Sequence, residues 1–200
     1  MLVLLVVFPA MSYVYMKNGF EYQVKSRAEL QDLGTAMSLP SNNYWGDSLV
    51  LDKTDKKVSL FAYFDPSDQE NTAVSGKYFG EMVEQFKEID WFRMNLLVPQ
   101  NASNALTAYT QEKDIEKATN IIFYPAQQDR QAINQTLHIG ADVLNAKNCV
   151  ALADTNGIVV NYYDLADGKQ YVRMMEHISL LRPLEEKKKA EALFRREPDL

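Results

Sequence analysis

Residues 149–164 read CVALADTNGIVVNYYD. Two apolar runs flank Asn156-Gly157, the strongest short-range hairpin signal, so two antiparallel strands are expected here. Just downstream, GKQYVRMMEHISLL (168–181) sets Tyr171, Val172, Met175, Ile178 and Leu181 on one face of a helix. Upstream the period changes. KVSLFAYF (57–64) is almost continuously apolar, as expected of a strand covered on both faces. GKYFGEMVEQFKEI (76–89) carries Tyr78, Phe79, Met82, Val83, Phe86 and Ile89 at helical spacing. WFRMNLLV (91–98) reads as the next strand, ended by Pro99. A polar helix with a thin stripe of Leu106, Tyr109 and Ile115 is expected over 104–117, a strand over TNIIFYP (119–125), and a short helix over 127–139.

The order is therefore β-α-β-α, an insertion, then β-β-α. Alternation predicts parallel strands joined by crossover helices, and the hairpin adds an antiparallel edge. That is an α/β chain in the thioredoxin arrangement, a central mixed sheet flanked by helices, over residues 49–182. Residues 17–48 read as a polar connector. Within it SRAELQDLG (26–34) has the form of a helix capped by Ser26, supported by Glu29 and stopped by Gly34. Tyr44-Trp45 in the connector suits docking, on the domain or on a partner. Residues 183–200 are a charged tail.

Composition narrows the chemistry. At 200 residues with 46% hydrophobic content, one core can be buried. A net charge of −6 argues against nucleic acid as a partner. The single cysteine, Cys149, excludes an internal disulfide, a Cys-x-x-Cys motif and a thiolate zinc site. The two histidines, His138 and His177, read as structural, His138 as a cation at a helix C-terminus and His177 beside core positions of the last helix.

MLVLLVVFPAMSYVYM (1–16) is a different material, uncharged from residue 2 to residue 16. Fifteen helical residues rise about 22 Å, short of a ~30 Å hydrocarbon core. Three readings fit: an anchor that stays attached, a cleaved signal peptide with Ala10-Met11-Ser12 as its small-x-small site, or a buried core segment. Tyr13 and Tyr15 ahead of Lys17 have the form of an interfacial belt, which favours a single-pass anchor with the domain on the extracytoplasmic, periplasmic side.

Four stretches carry a resemblance: VSLFAYF followed by a proline loop, the helix after it, NIIFYPAQQDRQAINQTLHIG, and VALADTNGIVVNYYD followed by a helix. Together they resemble the Sco/SenC family, membrane-anchored thioredoxin-fold proteins that handle copper for cytochrome oxidase assembly. In that family the ligands are two cysteines in a Cys-Pro-x-x-Cys loop and a histidine before the hairpin. With Pro66 as the loop proline, the resemblance puts those positions on Asp65, Gln69 and Ala146, or Lys147 with a shift of one. Soft thiolates and imidazole select Cu(I), and a carboxylate and an amide do not. Dithiol–disulfide exchange has no thiolate in this loop.

The resemblance thus implies the fold, the anchor and the neighbourhood, with no metal, cofactor or catalytic residue retained. It leads to the expectation of a redox-inactive protein acting by contact with an envelope partner through the 65–75 loop, in oxidase or copper-enzyme assembly. Two alternatives stay open: a divergent redoxin using Cys149, and a weak hard-metal site at Asp65, Asp68 and Glu70. Asn101-Ala-Ser and Asn134-Gln-Thr match the glycosylation sequon.

Overall fold

A computed structural model describes residues 16–49, 56–115 and 118–183. The predicted anchor, Met16 excepted, and the charged tail from residue 184 lie outside these residues. Among the described residues no helix is long and apolar enough to cross a membrane. The chain divides into two compact units, Met1–Gln31 and Asp32–Leu200.

In the first unit, residues 16–28 are helical (α1). The helix expected over 26–34 is therefore placed earlier and ends near where it was predicted to begin. Ser26 does not cap it. Its hydroxyl donates back to Tyr22 O at 2.9 Å, the i−4 bond that competes with capping.

The second unit is built on a six-stranded sheet in the order β1-β6-β5-β2-β3-β4. The strands are β1 (Gly34–Thr35), β2 (Val58–Tyr63), β3 (Phe92–Pro99), β4 (Ile121–Ala126), β5 (Cys149–Ala153) and β6 (Ile158–Asp164). β2, β3 and β4 run parallel, while β5 pairs antiparallel with both β2 and β6. A continuous helical run follows β2: α2 (Gln69–Asn71), a π-helical turn (Thr72–Gly76) and α3 (Lys77–Phe86). The remaining helices are α4 (Ser103–Glu112), α5 (Arg130–Thr136) and α6 (Gly168–Leu181). The mixed sheet flanked by helices is the one expected from the sequence.

Strand alternation divides the core. Val58, Leu60, Ala62 and Phe64 point to the face under α3 and α4, where Phe64 meets Phe79 and Tyr109 edge-on or tilted at ring distances of 5.5 and 4.8 Å. On the opposite face Phe61, Leu97, Ile133, Leu137, Cys149, Ala151 and Val159 form one apolar cluster beneath α5. Leu33, Ala36, Met37 and Leu39 pack against that cluster. The stretch read as a polar connector is thus partly structural: it crosses one face of the sheet. Its docking aromatics end on the domain itself. Tyr44 N–H donates to Phe123 O at 2.7 Å, and Trp45 sits edge-on to Phe123 at 5.8 Å.

The hairpin turn differs from a two-residue Asn-Gly turn. Asn156 keeps a negative φ and only Gly157 is left-handed, at φ 77°. Gly157 N–H donates to Asp154 O, while the Asp154 carboxylate accepts the N–H groups of Asn156 and Ile158 at 2.8 and 2.9 Å. This is a turn followed by a left-handed glycine, the longer hairpin solution. It puts Asp154, not Asn156, in charge of the turn.

Open space surrounds a Cβ placed on Gly157, so Gly157→Ala isolates the backbone term. It is expected to cost about 1 kcal/mol. Gly168→Ala, at the first residue of α6 with ordinary φ and open space, is expected to be neutral or slightly stabilising. Urea denaturation of the two variants checks both signs.

Candidate functional site

The carboxyl ends of β2 and β3 meet the start of α2 at one corner of the sheet, where ligands and clients of open α/β sheets collect. Asp68 is the N-cap of α2. Its carboxylate accepts the N–H groups of Glu70 and Asn71 at 3.0 and 3.4 Å. The same carboxylate lies 3.0 Å from Lys147 Nζ and 3.8 Å from Arg130. Lys147 also reaches Glu70 at 2.9 Å. The hydrogen bond from Lys147 holds the Asp68 carboxyl below its ordinary range, and its bonds to Glu70 and Asp68 raise the Lys147 ammonium above its own. Arg130 in turn lies over the Tyr63 ring at 5.1 Å.

Below this charged rim is a buried amide network. Asn71, Ser75 and Asn148 are buried. The Asn71 side-chain oxygen accepts Asp65 N–H at 2.8 Å. Its Nδ2 donates to Lys147 O at 2.7 Å and lies 3.2 Å from Asn148 Oδ1 and 3.3 Å from Ser75 Oγ. Ser75 Oγ donates to Asn148 Oδ1 at 2.9 Å. Residues 71 and 75 stand on one helical face, so the π-helical turn begins where this network is anchored. On its far side Tyr109 Oη donates to Gly76 O at 2.7 Å, and burial pushes that hydroxyl well above its ordinary range. A Cβ at Gly76 would come within 3.1 Å of the Tyr109 ring.

The predicted ligand positions are distributed differently. Asp65 binds the backbone, its carboxylate accepting Ser67 N–H at 3.0 Å. Gln69 is exposed as the first residue of α2. Ala146 packs against the apolar cluster on the other face. Among the described residues no hydrogen bond joins the three to one another. Lys147, the one-residue alternative, does reach the corner, through both its ammonium and its carbonyl. Sequence reasoning missed Asn71, Ser75 and Asn148. The 71/75 spacing of polar residues on one helix face was the available signal, but their burial depends on Asn148 arriving from 73 residues or more away.

Cys149 is the first residue of β5 and turns away from Asn148, into the cluster under α5. It is 3% exposed and its Sγ lies 3.6 Å from Val143 O. Burial, helped by Asp164 and Asp142, pushes its thiol up to about 12. A thiol in this state supplies no nucleophile at neutral pH. His177 is buried with Nδ1 2.6 Å from Tyr163 Oη. His138 follows α5 in the left-handed region at φ 58°, with Nε2 3.1 Å from Thr35 O. Of the two sequons, Asn101 is exposed, whereas Asn134 is buried and donates to Leu144 O at 2.8 Å.

Among the described residues no group of three or more His, Cys, Asp and Glu is placed to hold a metal ion. The acidic loop does not gather its carboxylates: Asp65 and Asp68 are used for local backbone bonds, Lys147 bridges Asp68 and Glu70, and Arg130 lies beside Asp68. The corner's donors are amide, hydroxyl and carboxylate oxygens already engaged in hydrogen bonds. They do not fit Cu(I), which takes thiolate and imidazole.

No known protein-family pattern and no curated protein matches the chain. Solved structures do. A thiol:disulfide interchange protein from Bacteroides sp. superposes with TM-score 0.52 at 14% identity, covering 80% of this chain and 95% of the other. The thioredoxin domain of a thiol-disulfide oxidoreductase from Bacteroides vulgatus gives 0.51 at 15%, covering 74% and 99%. BsSco, a member of the Sco family of cytochrome c oxidase assembly proteins, gives 0.53 at 12%, covering 76% and 96%. The chain therefore has a thioredoxin-like α/β fold.

Three measurements test these placements. Asn71→Ala and Asn148→Ala each leave buried polar groups without partners and are expected to cost about 2–3 kcal/mol in urea denaturation. Their double variant is expected to show a coupling of about 1 kcal/mol or more. Native protein at pH 8 is expected to leave Cys149 unmodified by a thiol reagent, with one thiol titrating after denaturation. Between pH 9, the thiol's ordinary value, and about 12 the unfolded chain releases a proton the folded chain keeps. Stability is expected to fall as pH rises through that window, and Cys149→Ala to make the fall shallower.

Proposed function

We propose that this protein is a membrane-tethered thioredoxin-fold protein of the cell envelope that works by protein contact rather than by thiol or copper chemistry. The observation that carries this reading is the corner itself. Where the resemblance puts a pair of thiols it has Asp65 and Gln69, above a buried amide network tied to the 147–148 segment by Asn71. The one thiol in the chain is buried on the opposite face and held protonated. A site for disulfide exchange needs an accessible thiolate.

Pre-organisation supports a contact role. The loop from Asp65 to Asn71 is fixed from within by Asn71 Oδ1, at its start by Asp65 and at the helix by Asp68. A loop already ordered loses little entropy when a partner binds. Its rim offers Asp68, Glu70, Arg130 and Lys147, charges of both signs that set orientation in a docked complex. Likeness to a Sco-family assembly protein makes respiratory-oxidase or copper-enzyme assembly the context proposed for the partner, by analogy of fold.

The test is affinity capture from membranes with the full chain and with Glu70→Lys, which reverses an exposed charge on the rim. Recovery of one envelope protein by the wild type, reduced at least several-fold by the variant, is expected. Recovery of only abundant porins and ribosomes, or turnover of a disulfide substrate by the purified chain, refutes the reading.

A further inference from the structure

Every residue of α1, 16–28, is exposed except Ser26. A helix of this length is marginal by itself in water, so its persistence depends on what covers it. Its exposed apolar side chains are not scattered. Met16, Phe20 and Val24, at 65%, 68% and 51% exposure, stand four residues apart and form one line along the helix. Lys17 and Arg27 stand near the two ends of that line. Helical spacing puts Asn18, Glu21 and Lys25 on the far side, and the Lys17 ammonium lies 3.8 Å from the Glu21 carboxylate.

We propose that α1 lies flat on an anionic membrane surface, with Met16, Phe20 and Val24 turned into it. The inference rests on the membrane-tethered reading above and adds the surface by which the chain meets the bilayer. Residues 2–15, immediately before α1, carry no charged side chain, so a tether there delivers α1 at the level of the headgroups. The helix itself carries three basic residues, Lys17, Lys25 and Arg27, against one acidic residue, Glu21, in a chain of net charge −6. Its local excess is therefore opposite in sign to that of the whole chain, and it is the sign that anionic headgroups attract. Lysine and arginine can lay their stems over the apolar layer and keep their charges among the headgroups. An interfacial helix needs an apolar stripe and a basic polar side, and does not need the length of a crossing segment. A second copy of α1 fits the stripe less well. A coiled-coil seam needs apolar residues seven apart, and seven on from Met16 and Phe20 stand Gln23 and Arg27.

The test places one nitroxide at a time on the full chain, in a Cys149→Ala background, through Met16→Cys and Val24→Cys on the stripe and Asn18→Cys and Lys25→Cys on the far side. Each chain is reconstituted into vesicles of phosphatidylcholine and phosphatidylglycerol in equal parts and separated by flotation. Spin relaxation by oxygen, which concentrates in lipid, and by a water-soluble nickel chelate then reports depth. The oxygen-to-nickel ratio at residues 16 and 24 is expected to exceed that at 18 and 25 at least several-fold, and to fall in phosphatidylcholine alone. Phe20→Asp is expected to return the stripe labels to the far-side values while the chain still floats. Flotation with all four labels equally open to nickel overturns this inference and leaves the tether standing, whereas a chain that does not float overturns both. Spin–spin broadening between stripe labels, which puts a second copy on the stripe, also overturns it, as does equal depth in the two kinds of vesicle or unchanged depth in Phe20→Asp.

Discussion

The structure's candidate site depends on one buried side chain, Asn71. It arrives on the first turn after β2 and bonds three things at once: the Asp65 amide that begins the loop, the Lys147 carbonyl that precedes β5, and the Asn148 side chain. A buried amide with two donors and an acceptor must find partners for all of them or lose several kcal/mol. The partners lie on two segments, the loop after β2 and the 147–148 approach to β5, so satisfying Asn71 fixes both to the helix start that carries it. The π-helical turn, the tight packing at Gly76 and the Tyr109 hydroxyl bond follow around that point.

The same constraint explains why the corner's chemistry is limited. The buried side chains that reach it, Asn71, Ser75 and Asn148, are committed to holding the fold, and the charged groups above it pair with one another. Lys147 bridges Asp68 and Glu70, and Arg130 rests between Asp68 and Tyr63. Such a surface is rigid and mixed in sign. It is suited to recognition, where order before binding is an advantage, and poorly suited to ligating a soft cation or attacking a sulfur.

The two faces of the sheet have separate tasks. α3, α4 and α6 cover one face, and the aromatic contacts there run from Phe64 through Phe79 and Tyr109. The other face is covered by one short helix, α5, and by a crossing segment with little regular structure. Seven residues of helix cannot cover a sheet of this width. The crossing segment therefore supplies Leu33, Met37 and Leu39 as core side chains, and a gap is left where it passes α5. Polar composition hid this role, because its apolar residues are spaced for an extended crossing and follow neither helical nor strand periodicity over any length.

What the sequence by itself determined was the periodic part. Runs such as VSLFAYF and the Tyr78–Phe86 stripe can bury their apolar surface in one way, and the last helix spans Gly168–Leu181 as expected, although the side chains it buries are Met174, His177 and Ile178 and Val172 of the expected face is exposed. The absence of a thiol pair was equally legible, since a residue type that is missing needs no fold to establish it. Tertiary structure alone decided where the polar residues went. It separated Ala146 from Asp65 and Gln69 and buried Asn71 against Asn148, whereas the bonds that set the roles of Ser26 and Asp154 are local, two to four residues long. The physical reason is that apolar burial is non-directional and shows up as a local period, whereas hydrogen bonds are directional and join atoms up to 77 residues apart.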